Sequence, residues 1–153
     1  MDAATDTTVY ERTLSIDASP DTVWEFFVDP EKLMRWKGIK ADLDAQPGGL
    51  FYCEVIPGHV ARGEFVELDR PNRLVYTWGW DGNEGVPPGS STIEVELEED
   101  GNKTRLRFLH QLATPEAAAS HKEGWDHYLP RLELAAAGGD PGPDPWVSNA
   151  PSM

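Results

Sequence analysis

Histidine, cysteine and tryptophan are the side chains of this sequence best suited to act on, or hold, another molecule. His110 ends an alternating strand pattern and His121 begins a helical one, so both are expected at one end of whatever lies between those elements. Imidazoles placed in that way would serve as acid and base, or would orient a polar ligand group. The simpler alternative is that neighbouring backbone and carboxylates satisfy each of them. Metal binding is not expected, because His121 and His127 are six positions apart, on different faces of a helix, and no Cys/His cluster has ligand spacing. Cys53, the single cysteine, alternates with Phe51 and Val55 in mid-strand. Neither a helix N-terminus nor a cation is supplied there, so it reads as a buried, inert thiol. Arg62 and Glu64 flank Gly63, and both charges are expected on a solvated face. One of them pointing inward would be an anchor for a polar ligand group or a catalytic candidate. A bulge at Gly63 would account for the broken alternation at Phe65 and Val66. No G-x-S-x-G elbow, P-loop or G-x-G-x-x-G fingerprint occurs.

The elements that must position these residues are mostly strands. Val9 to Ile16 alternates, with Tyr10, Arg12, Leu14 and Ile16 on one face. Ser19, Pro20 and Asp21 then form a helix start as N-cap, first residue and dipole-favoured acid. The short helix that follows buries Val23, Phe26 and Phe27 with Trp24 beside them, and Asp29-Pro30 interrupts it. A second short helix is expected over 31–36. From Ala41 to His110 the pattern is β, cut by turn clusters such as Pro57-Gly58 and Asp100-Gly101-Asn102. Strands are expected over 50–56, 59–69, 73–80, 91–98 and 103–110. Residues 81–90, with three glycines and two prolines, form one long connection that suits the rim of an opening, either as a mobile lid or as an ordinary loop.

A long helix from Thr114 to Gly138 closes the pattern, with Ala117, His121, Trp125, Tyr128 and Leu132 along one stripe. Pro130 falls inside it and predicts a kink near Asp126 to Pro130. The architecture read from these signals is α+β, a curved antiparallel sheet of six or seven strands gripping one long helix. Residues 1–8 are expected to be loose, 9–138 to form the domain, and 139–153, with four prolines, to be a disordered tail.

Length agrees with one domain, since 153 residues bury a core without disulfides or metals. The formal net charge of −14 sets the surface against nucleic acid and anionic membranes. No apolar run approaches a membrane span, and the acidic start lacks the features of a signal peptide, so the cytoplasm is the expected compartment. No cofactor or metal is implied. Five of the six tryptophans, Trp24, Trp36, Trp78, Trp80 and Trp125, lie inside the patterned region, and rings of this size line ligand sites as readily as they fill cores.

The segments ASPDTVWEFFVDPEKLMRW (18–36), GG-L-F (48–51), RGEFVELDRPNRLVYTW (62–78), ST-I-E-V-E-L (91–97) and H-K-E-G-W-x-x-x-L-x-x-L (121–132) together resemble the START-like, helix-grip superfamily called SRPBCC. Within it, the chain is similar to the C-terminal domain of the activator of Hsp90 ATPase, over about Val9 to Leu134. The resemblance implies a β-α-α-β6-α fold around a deep cavity. Relatives include lipid and hormone carriers, polyketide cyclases, oxygenase substrate domains and co-chaperone domains, so the fold does not choose a function. The motif from His121 to Trp125 is a family signature without a settled catalytic role, and Pro130 departs from the usual pattern.

The leading expectation is a module that binds a small hydrophobic or aromatic molecule. Its cavity would be lined by Trp36, Phe51, Trp78, Trp80, Phe108, Trp125 and Tyr128, with His110 and His121 as polar contacts. An alternative is a cyclase- or hydrolase-like enzyme using His110 or His121. A co-chaperone-type interaction domain is the third. The additional N-terminal domain of a full Hsp90 activator is not seen, so an Hsp90-type chaperone ranks last among partners. A homodimer remains open.

Overall fold

Burial with a period of two runs through the long strands of the computed structural model, which describes residues 8–149. Seven strands form one antiparallel sheet: β1 (Val9–Ile16), β2 (Lys40–Leu43), β3 (Leu50–Ile56), β4 (His59–Asp69), β5 (Arg73–Trp78), β6 (Ser91–Asp100) and β7 (Lys103–Gln111). Their order, β1-β7-β6-β5-β4-β3-β2, is that of a meander whose last strand returns to pair with its first. Ile93, Val95 and Leu97 of β6 and Leu106 and Phe108 of β7 face inward as their alternation requires, while Arg105 and Arg107 face water.

Two short helices follow β1. In α1 (Pro20–Val28) the Ser19 side chain accepts from the Thr22 N–H, and Val23, Trp24, Phe26 and Phe27 are buried. Asp29 both ends α1 and caps α2 (Pro30–Leu33), its carboxylate accepting from Glu31 and Lys32 N–H. The second helix is therefore shorter than the expected 31–36, because Arg35 and Trp36 donate back to Lys32 and Leu33 as a turn. Gly38 completes that turn at φ +103°, and a Cβ there would stand 2.6 Å from Cys53 Sγ. This close approach draws the segment onto β3.

The long helix α3 (Pro115–Ala136) starts at Thr114, whose hydroxyl accepts from Ala117 N–H, and ends where Gly138 and Gly139 donate to Ala135 and Leu134 carbonyls. Trp125, Tyr128, Leu129 and Leu132 pack from it into the core that the sheet encloses. Pro130 lies on the exposed side of an unbroken helix. The Asp126 carbonyl that loses its donor thus belongs to a residue on the solvated face, where water can replace the bond. No described helix is long and apolar enough to cross a membrane.

Three further expectations meet a different arrangement. The strand over 73–80 stops at Trp78, and Trp80 makes only an isolated bridge to Ala61. The bulge in β4 sits between Phe65 and Glu67 instead of at Gly63, leaving Val66 exposed, while Gly63 keeps its register opposite Phe51. After Gly139 the chain folds back over α3 and forms a short helix, α4 (Pro145–Ser148), capped by Asp144, where no structure was expected. The contacts responsible are aromatic and polar: Trp146 stacks on His127 with ring centroids 3.7 Å apart, and Arg131 donates to the carbonyls of Pro141 and Gly142. Proline-rich composition describes a segment's own preferences and not a surface waiting for it. Residues 1–7 and 150–153, covering most of the expected loose start and the end of the tail, lie outside the described residues.

Candidate functional site

A cavity of about 670 Å³ opens between the sheet and α3. The β3–β4 turn from Val55 to Val60 forms one wall, and Trp78, Trp80 and the connection through Val86 form another. Ala117, Ser120, His121, Gly124, Trp125 and Tyr128 of α3 face it from the opposite side, and Trp146 of α4 closes part of the edge. The connection over 81–90 borders the opening, as its composition suggested; it is tied down by Val86, which is buried beside Leu112 and Ala118.

Five of the nine residues expected to line a cavity do so: Trp78, Trp80, His121, Trp125 and Tyr128. The other four stand behind its wall. Trp36 donates its indole N–H to the Phe26 carbonyl at 2.9 Å, Phe51 stacks on Tyr76 at 4.6 Å, and Phe108 packs against Trp125 at 4.6 Å. His110, the fourth, is fully buried.

The two histidines do come together, with ring centroids 5.1 Å apart, but neither has a nitrogen to spare. Trp125 Nε1–H donates to His110 Nδ1 at 3.0 Å; His110 Nε2–H then donates to Ser91 Oγ at 2.8 Å, and the Ser91 hydroxyl donates to the Trp78 carbonyl at 2.7 Å. This chain of three bonds fixes one neutral tautomer. In His121, Nδ1–H donates to the Ala117 carbonyl at 2.8 Å and Nε2 accepts from Trp80 Nε1–H at 2.9 Å. Burial pushes His110 well below the ordinary imidazole range, helped by its neighbours His121 and Lys37, and burial lowers His121 as well. All four ring nitrogens are thus engaged by protein partners, and the two imidazoles hold the Trp80 and Trp125 indoles in place. The partners are two indoles, a serine and, as expected for one of the four nitrogens, a backbone carbonyl, with no carboxylate among them.

Arg62 and Glu64 are exposed, and Arg62 pairs with Asp81 at 2.5 Å, so neither enters the cavity. Burial raises the Cys53 thiol and keeps it neutral. His127 and Tyr128 both donate to Asp144, at 2.8 and 2.6 Å, which holds the returning chain against α3. No group of three or more His, Cys, Asp or Glu among the described residues could hold a metal ion.

Lys37 is the residue that sequence reasoning missed. It is only 2% exposed, it borders the cavity, and its Nζ has no hydrogen-bond partner. Four aromatic rings surround that ammonium: Trp78 and Trp125 at 4.5 Å, Trp36 at 5.0 Å and Phe51 at 5.7 Å. Nothing in R-W-K-G-I-K separates this lysine from a surface one. Burial lowers its pKa from 10.5 to about 8. The unfolded chain is then the better proton binder between those two values, so this group makes stability rise as pH passes upward through 8. A gain of about 1 kcal/mol between pH 8 and 9 relative to Lys37→Met is the expected result of urea melts at the two pH values. Cys53, with its raised pKa, works in the opposite sense near pH 9, and since Lys37 lowers that thiol while burial raises it, a Cys53→Ala background keeps the two groups apart.

Comparison with known proteins agrees with this fold. An AHSA1-like protein from Rhizobium etli is 44% identical, with 95% of this chain and 91% of that one covered and a TM-score of 0.72. CalU16 from Micromonospora echinospora is 28% identical over 95% of this chain and 74% of its own, with a TM-score of 0.76. An Hsp90 activator from Plasmodium falciparum shares the fold at 23% identity, covering 84% of this chain and 96% of its own at a TM-score of 0.69. No curated protein matches the chain in sequence. The family described as activator of Hsp90 ATPase homolog 1-like protein matches residues 17–137, and the chain belongs to it.

Proposed function

We propose that the protein binds a small hydrophobic or aromatic molecule in the cavity between the sheet and α3. The observation that carries this reading is the wall itself: a space of about 670 Å³ faced by Trp78, Trp80, Trp125, Tyr128 and Trp146. Volume and lining are those of small-molecule sites, which run to about 300–1,000 Å³ and are mostly apolar with a few placed polar groups. Four tryptophans at the wall make their own probe. Titration with a library of lipids and aromatic metabolites is expected to shift the intrinsic emission for at least one class, and an emission unchanged by every class would sink the reading.

Gly124 supplies a second test. It borders the cavity, and a Cβ there would meet nothing within 4 Å. Leucine at this position is expected to fill part of the space and weaken any cavity ligand about tenfold or more. The same change should raise stability by up to about 1 kcal/mol through helix propensity. Unchanged affinity in Gly124→Leu would place the ligand elsewhere.

The family description and the Plasmodium relative supply a second reading, an interaction with an Hsp90-type chaperone. The family therefore removes the ground for ranking that partner last. Co-purification with Hsp90 from the native host decides it.

A further inference from the structure

Two donor groups beside this cavity have no acceptor. Lys37 Nζ and Trp78 Nε1 are the buried side-chain nitrogens or oxygens without a hydrogen-bond partner among the described residues, and both side chains border the same space. Buried donors are ordinarily paired, and an unpaired one costs the full desolvation of the group. A buried ammonium is costlier still, so a lone lysine bordering a cavity points to a partner that arrives from outside. The surrounding rings of Trp36, Phe51, Trp78 and Trp125 spread its charge but accept no conventional hydrogen bond.

Resting on the cavity reading above, we propose that the ligand is an apolar monocarboxylic acid that enters head first, its carboxylate accepting hydrogen bonds from Lys37 Nζ and Trp78 Nε1. The hydrocarbon or aromatic body lies against Trp80, Trp125 and Tyr128. One unit of charge is what the site can neutralise. A dianionic phosphate would need a second cation, and the nearby guanidiniums are engaged: Arg62 with Asp81, and Arg131 with the carbonyls of Trp36, Pro141 and Gly142. A neutral alcohol or ketone leaves the ammonium without a counter-charge. Glu84 and Glu123 border the opening, so a second carboxylate on the ligand would sit among like charges, which selects against diacids. Both donors are hydrogen-bonded only when the acid is bound, so the interaction is charge-assisted in a water-poor site.

Calorimetric titration of the full chain with matched pairs tests this: decanoate against decan-1-ol, and 1-naphthylacetate against 1-naphthylacetamide. Each acid is expected to bind about tenfold or more tightly than its neutral partner. Lys37→Met is expected to reduce the acids to the level of the neutral compounds and to leave the neutral compounds unchanged. A second readout needs no variant: on adding decanoate, the Lys37 side-chain NMR signal should titrate at a higher pH than in the free protein. Equal affinity of acid and neutral partner would overturn the carboxylate assignment while the cavity reading stands. Absence of binding by all four compounds would overturn both. Equal loss of acid and neutral binding in Lys37→Met would make the lysine structural and overturn its role as anchor.

Discussion

Trp125→Ala is expected to cost the fold about 3–5 kcal/mol, read as a lower urea midpoint at unchanged slope. Trp125 is 3% exposed and packs against Phe108 and Trp78, with ring centroids 4.6 and 5.2 Å away. Its removal joins a new void to the existing cavity, and a wall already open on one side cannot collapse to fill it. The loss is also polar. His110 Nδ1 accepts from this indole, and the imidazole is fully buried, so alanine leaves an acceptor unpaired. Trp125→Phe separates the two contributions: most of the ring volume stays and the donor goes. About 1–3 kcal/mol is expected from the orphaned nitrogen and the smaller ring. A phenylalanine variant as stable as the parent would show that the bond to His110 contributes nothing.

Gly63→Ala is expected to be about as severe, at about 3 kcal/mol or more, with a fall in soluble yield as the first sign. The reason is approach rather than dihedral freedom. A Cβ at Gly63 would stand 2.0 Å from the Thr77 carbonyl oxygen and 2.4 Å from its carbon, both backbone atoms of the neighbouring strand. Next to it, Glu64 N–H donates to Thr77 Oγ1 at 2.9 Å, so β4 and β5 are already fastened at this point and cannot part without losing that bond. Gly124→Ala makes the contrast: the added methyl faces open space, and thermal melts should show an unchanged or higher Tm. Similar melts for the two alanine variants would refute the packing argument.

These two effects depend on contacts of different visibility. The elements themselves were readable because their signals are local. Ser19 and Thr114 cap helices since an oxygen three residues ahead of an N–H needs no distant partner. The alternation in β6 and β7 reports an apolar face whatever lies opposite. Departures came where an element's end depends on another part of the chain. Trp80 leaves the strand to bond His121 on α3, and the β4 bulge falls at Val66, where the register against β5 changes.

The amino-acid sequence alone established the α+β class, the closing helix and the turn positions, because each is written in periods and spacings of a few residues, while the family came from the resemblance of longer segments. It also brought His110, His121, Trp78, Trp80, Trp125 and Tyr128 to the same region of the fold. Tertiary structure alone decided what those residues can do. The histidines became neutral posts for two indoles because their partners, Trp80, Ser91 and Trp125, come from separate elements. Lys37 became the buried cation because Gly38 brings its turn onto Cys53 while α3 lays Trp125 over its ammonium. Trp146 joined the wall because His127 and Asp144 hold the returning chain in place. Burial is a property of what lies opposite a residue, and a period in the sequence describes only the side from which it looks out.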